Sequence, residues 1–143
     1  MKPRRLTFPP RGTVLRQLRA AVRDHASKLG AGQHVADNLA LVVDELVNNA
    51  IEHGAAYRRQ NLDLAVQFEV DGDRLRIEFY DQEMPAATVA ELTKALLDAS
   101  NGMPSLDNER GRGLFLLTVY LEDLRAELAE NGGLRLVGSI ARS

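Results

Sequence analysis

The chain contains no cysteine, which excludes disulfides, thiol nucleophiles and thiolate metal sites and suits a cytoplasmic protein. It has no positive excess: 18 basic residues stand against 20 acidic ones, for a formal charge of −2. Without a basic field to displace counterions from a polyanion, nucleic acid is not an expected partner. Long hydrophobic runs are also missing. Stretches such as Leu39 to Val43 and Leu114 to Leu117 fall far short of the roughly 18 residues that cross a bilayer, so no membrane partner is expected. The basic start leads into Leu6-Thr7-Phe8-Pro9-Pro10, which is not the apolar stretch of an export signal. No G-x-x-x-x-G-K-[ST], G-x-S-x-G or H-E-x-x-H motif occurs, and His25, His34 and His53 are too scattered to suggest a metal site.

What is present is ordinary for a globular protein: 45% hydrophobic and 27% charged residues in 143, enough for one domain spanning residues 1–143. Residues 4–8 read as a strand closed by Pro9-Pro10. Apolar residues at three- and four-residue spacing predict a helix from Thr13 to Leu29, stopped at Gly30. A second runs from Gln33 to His53, with Val35, Leu39, Val42, Val43, Leu46 and Ala50 as its buried stripe. Leu62 to Val70 and Leu75 to Tyr80 predict a hairpin around Asp71-Gly72-Asp73. A helix over Thr88 to Ala99, a breaker-rich mobile loop over 100–112 and a helix over Leu114 to Leu121 follow. Leu124 to Ala129 and Leu134 to Ile140 predict a closing hairpin around Asn131-Gly132-Gly133, with an Asn-Gly turn. The order β-α-α-β-β-α-α-β-β implies an α+β two-layer sandwich, with a mixed or antiparallel sheet and the helices on one face.

Two features suggest chemistry. At about 100° per residue, Glu45, Asn48, Asn49 and Glu52 share an arc of roughly 100° opposite the apolar stripe of the second helix. A solvated face would look the same. The alternative is a carboxylate base beside an amide able to ligate Mg²⁺, a hard cation that prefers oxygen. Gly111-Arg112-Gly113 stands before the apolar start of the next helix, where backbone amides and the charges of Arg110 and Arg112 could receive a phosphate; a flexible loop is the plain alternative. The arginines at 4, 5, 11, 16, 19 and 23 suit either an acidic partner surface or a solvated face.

The segment from Val43 to Gly54, with its E-x-x-x-N-A-x-x-H-G pattern, resembles the N-box of the anti-sigma-factor serine/threonine kinases, members of the ATPase superfamily that includes histidine kinases, gyrase B and Hsp90. Arg110-Gly111-Arg112-Gly113-Leu114 is similar to the family's second glycine box, and the element order agrees across nearly the whole chain. The resemblance implies ATP and Mg²⁺ as cofactors, with Glu45 as the base, Asn49 on the metal and Asp81 reading the adenine amino group. It also assigns His53, Met84, Arg110, Gly111, Arg112, Gly113 and Leu114 to the nucleotide, and Gln82 to Arg110 to a lid. The implied function is a partner-switching kinase that phosphorylates a small STAS-domain anti-sigma antagonist and sequesters a sigma factor or other output protein, as a homodimer. A weakly nucleotide-binding module of the same fold, acting by protein contact, is the alternative.

The family's first glycine box normally reads D-x-G-x-[GP], whereas here it is Asp81-Gln82-Glu83-Met84-Pro85. Glu83 places a side chain and a negative charge where backbone should pass close to nucleotide. Either it obstructs the nucleotide, or the loop swings outward.

Overall fold

The computed structural model describes residues 4–102 and 109–143, and the side chains of all of these except Arg4 and Glu109. Strand β1, Arg4–Phe8, leads through a single 3-10 turn, Gly12–Val14, into helix α1, Leu15–Lys28, and then α2, Gln33–Gly54. Strands β2, Leu64–Asp71, and β3, Arg74–Asp81, form the first hairpin. Helices α3, Ala86–Ser100, and α4, Glu109–Tyr120, precede β4, Glu122–Leu128, and β5, Leu134–Ala141. Of the breaker-rich stretch read as a mobile loop, residues 103–108 lie outside the described residues.

The sheet has the order β1-β2-β3-β5-β4, and all four pairings are antiparallel, so the antiparallel alternative is the one realised. Strand alternation sorts its two faces. Leu64, Val66 and Phe68 of β2, Leu75, Ile77 and Phe79 of β3, and Leu134 and Leu136 of β5 join one core with Leu39, Val43, Leu46, Leu92, Leu114 and Leu117 of the helices. Each such Leu, Ile or Phe contributes about 1.5–3 kcal/mol relative to exposure, which is what holds the helical layer down. The opposite parity is polar: Gln67, Glu69, Arg76, Glu78, Tyr80, Glu127 and Arg135 lie side by side in register. Glu78 is 4% exposed there, yet receives Arg135 at 2.6 Å and the Tyr80 hydroxyl at 2.6 Å. Burial pushes its carboxyl up, but the bonds from Tyr80 and Arg135 and the charge of Arg76 outweigh that and hold it below its ordinary range.

Two local expectations need correction. The closing hairpin forms, but the turn is not carried by the Asn-Gly pair. The Gly132 N–H bonds the Ala129 carbonyl at 3.0 Å, Ala129 N–H bonds Gly133 O at 2.9 Å, and the positive φ angles fall on Gly132 (90°) and Gly133 (82°), not on Asn131. Gly133 crosses the backbone of Asp81 and Gln82: a Cβ there would lie 2.6 Å from Asp81 O and 2.7 Å from Gln82 Cα. Second, the Arg110-Gly111-Arg112-Gly113 segment does not precede a helix; it lies inside α4, which starts at Glu109. Packing of Leu114 and Leu117 into the core and of α4 on α2 overrides the poor helix propensity of glycine. Part of the basic face of α1 is engaged internally, through Arg19–Asp44 at 2.9 Å and Arg23–Asp37 at 3.0 Å. Among the described residues, no helix is long and apolar enough to cross a membrane.

Candidate functional site

The apolar stripe of α2 is pinned to the core, so its opposite face is presented outward. Asn48 and Glu52 are exposed and Glu45, Asn49 and His53 half-buried, as helical periodicity requires. These five line a cleft of about 70 Å³ whose other wall is α4, through Arg110, Gly113, Leu114 and Leu117. Gly113 lies close to the flexible end of Glu45: a Cβ on it would stand 2.9 Å from Glu45 Oε2. Arg110 brings positive charge, and its Nε is buried with no hydrogen-bond partner among the described residues. His53 is held below its ordinary range by burial and by the charge of Arg110, with Glu52 opposing, which favours the neutral imidazole. Among the described residues, no cluster of three or more His, Asp or Glu is placed to hold a metal ion.

Of the residues singled out from the sequence, Glu45, Asn49, His53, Arg110, Gly113 and Leu114 thus gather at one cleft. Gly111 and Arg112 do not line it, being on other sides of α4. Met84 is packed into the hydrophobic core, 7% exposed.

Asp81 belongs to a second cluster that the motifs did not reveal. It closes β3, fully buried, and its Oδ2 accepts from the Tyr57 hydroxyl at 2.7 Å and Arg58 Nη2 at 2.8 Å. Its Oδ1 accepts from Arg58 Nη1 at 3.1 Å and from the Glu83 N–H at 3.2 Å. Burial pushes the Tyr57 phenol up, and the bond to Asp81 adds to the shift, so it stays protonated as a donor. Arg58 also donates to the Ala50 carbonyl of α2 at 3.2 Å, in the space left by the missing Cβ of Gly54. The sequence carried a faint signal: Tyr57-Arg58-Arg59 follows the end of a helix, and two acids, Asp81 and Glu83, bracket the end of a strand.

Glu83 has partners that the motif did not suggest. Its carboxylate turns onto the segment after α2, accepting the N–H groups of Leu62 at 2.7 Å, Arg59 at 2.8 Å and Gln60 at 3.0 Å, with Arg58 at 3.5 Å. Burial alone would push the Glu83 carboxyl up; the N–H groups of Gln60, Arg59 and Leu62 and the charge of Arg58 reverse this and hold it down at about 2. Because the folded value lies below the ordinary 4.5, the stabilisation is complete above about pH 4.5 and is lost as pH falls toward 2. Over that window the melting temperature of the parent should fall more steeply than that of Glu83→Gln. Parallel acid profiles would show that the carboxylate does not hold the segment.

A family model described as a histidine kinase-like ATPase domain matches residues 8–137. Among solved structures, the SiaB–SiaC complex from Pseudomonas aeruginosa matches with a TM-score of 0.71 and 17% identity, over 94% of this chain and 88% of that one. The RsbU and RsbW domains of Rv1364c from Mycobacterium tuberculosis match with a TM-score of 0.63 and 17% identity, over 99% of this chain and 32% of that one. At such identity the likeness is one of fold. Comparison with curated protein sequences finds no match.

Proposed function

Because this chain belongs to the histidine kinase-like ATPase domain family, we propose that it is a partner-switching regulator with serine/threonine kinase activity. Its substrate is a small STAS-domain antagonist and its sequestered partner a sigma factor or other output protein, met by a homodimer in the cytoplasm. The observation that carries this reading is the cleft between α2 and α4, lined by Glu45 and Asn49, one helical turn apart, on one side and by Arg110 and Gly113 on the other. Relatedness in fold to SiaB–SiaC and to RsbU and RsbW supports a protein partner.

The group this family implies is ATP with Mg²⁺, and the donor chemistry suits it at the phosphate end. An amide oxygen at Asn49 would hold the hard cation, in the company of phosphate oxygens, and Arg110 would neutralise phosphate charge. ATP, when bound, supplies the phosphoryl group. Glu45 Oε then takes the proton of the partner's serine or threonine hydroxyl, while Leu114 and Leu117 keep one wall of the cleft dry. At the base end Asp81 has the right chemistry for an adenine amino group, but its oxygens are engaged by Arg58 and Tyr57. That engagement favours a second reading, a regulator of the same fold that works by protein contact alone.

Incubation of the chain with Mg²⁺-ATP and candidate STAS proteins separates the two readings. Phosphate on a serine or threonine of the partner is the expected result; a stable complex with no transfer would select the second. In that assay Glu45→Gln is expected to lower the transfer rate by about two orders of magnitude with an unchanged melting temperature, because an amide keeps the shape and cannot take a proton. Equal rates would remove Glu45 from the proton transfer.

A further inference from the structure

Four donors converge on Asp81: two guanidinium nitrogens of Arg58, the Tyr57 hydroxyl and the Glu83 N–H. A carboxylate offers about four lone-pair positions, so none is left for another donor. The side chains of Arg58 and Asp81 are 7% and 1% exposed, so solvent does not share the pair. Its surroundings are shaped to it. Gly54 leaves the guanidinium its space, since a Cβ there would stand 2.4 Å from Arg58 Nη2, and the Ala50 carbonyl takes a further N–H. Glu83 accepts the N–H groups of Arg59, Gln60 and Leu62, in the segment that follows Arg58, and so anchors the root of the Arg58 side chain.

Resting on the reading of Asp81 as the base-recognising carboxylate, we propose that Arg58 is a resident competitor for the adenine subsite and sets the chain's affinity for ATP. The purine amino group offers one neutral N–H to a carboxylate, whereas Arg58 offers a charged, two-pronged contact, the stronger of the two. Nucleotide therefore gains the subsite only when Asp81 releases the guanidinium, and the remaining contacts of the nucleotide must supply the difference. The negative charge at Glu83 acts in the same direction, because it holds Arg58 at 3.5 Å on its other side.

The test is calorimetric titration of Mg²⁺-ATP into the full chain and into Arg58→Met, Arg58→Lys and Tyr57→Phe, with the ligand-free melting temperature of each. Arg58→Met should bind at least about tenfold more tightly than the parent. Arg58→Lys, whose single amine cannot bridge both oxygens, should gain several-fold, and Tyr57→Phe should shift in the same direction. The ligand-free melting temperature should fall in both Arg58 variants. Equal affinity in parent and variants would overturn the competition while leaving the nucleotide site standing. Absence of binding in every folded variant would overturn both the competition and the nucleotide reading of the cleft. Should Arg58→Met fail to fold, the Lys and Phe variants decide by the same comparison.

Discussion

Asp81→Asn is expected to cost the ligand-free protein about 3–5 kcal/mol of folding free energy, the range for removing one partner of a buried ion pair. The substitution changes a carboxylate that accepts from Arg58 on both oxygens into an amide with one acceptor and one donor. The donor edge then faces a guanidinium nitrogen, and the Arg58 charge remains inside with its counter-charge gone. At about 2–4 °C per kcal/mol for a chain of this size, the melting temperature should fall by about 10 °C. Thermal unfolding followed by circular dichroism measures it. A base-reading carboxylate that is idle without nucleotide would instead tolerate asparagine with almost no change, so a shift below about 2 °C would contradict the ion pair as a structural element.

Gly133→Ala should be nearly as damaging, about 3 kcal/mol or more. A residue with a Cβ in the left-handed region costs about 1–2 kcal/mol, and φ at Gly133 is 82°. The added carbon would also meet backbone at 2.6 to 2.8 Å, on Asp81 O, Gln82 Cα and Gln82 O, where no side chain can rotate away. Gly72→Ala is the natural control. Gly72 also has a positive φ, 63°, but nothing lies within 4 Å of its would-be Cβ, so only the conformational part should be lost. Denaturant unfolding of the two variants isolates the crossing as their difference. Equal losses would mean that the terminal hairpin can lift off the end of β3 freely.

How far the sequence could be read follows from the range of the interactions involved. The period of Val35, Leu39, Val42, Leu46 and Ala50 and the turn at Gly72 are local signals, and α2 and the first hairpin lie where these place them. The same helical period puts Glu45 and Asn49 on one outward face, and that half of the site was legible. The start of α4 was not, because glycine at 111 and 113 reads locally as a break, while packing of α4 on α2 is a long-range term. The insertion of β5 between β3 and β4 likewise rests on pairings remote in the chain. Glu83 was the hardest case. A motif comparison registers the missing glycine, but its three N–H partners lie in a loop with no pattern of its own, ordered with Asn61 at a φ of 52°.

The Glu83 cradle has a consequence for the ancestry of such chains. Arg58 and Glu83 are mutually dependent: losing the arginine strips the buried carboxylates of Asp81 and Glu83 of their shared counter-charge, and losing the acid releases the loop that carries the arginine. Single steps away from the pair are therefore disfavoured, and a lineage should change both positions or neither. Related sequences with glycine in the first box should lack an arginine at the position of Arg58, and those with an acid there should keep it. What reads as decay of a motif at one position would then be half of an inherited exchange, with its counterpart in the loop that follows the N-box.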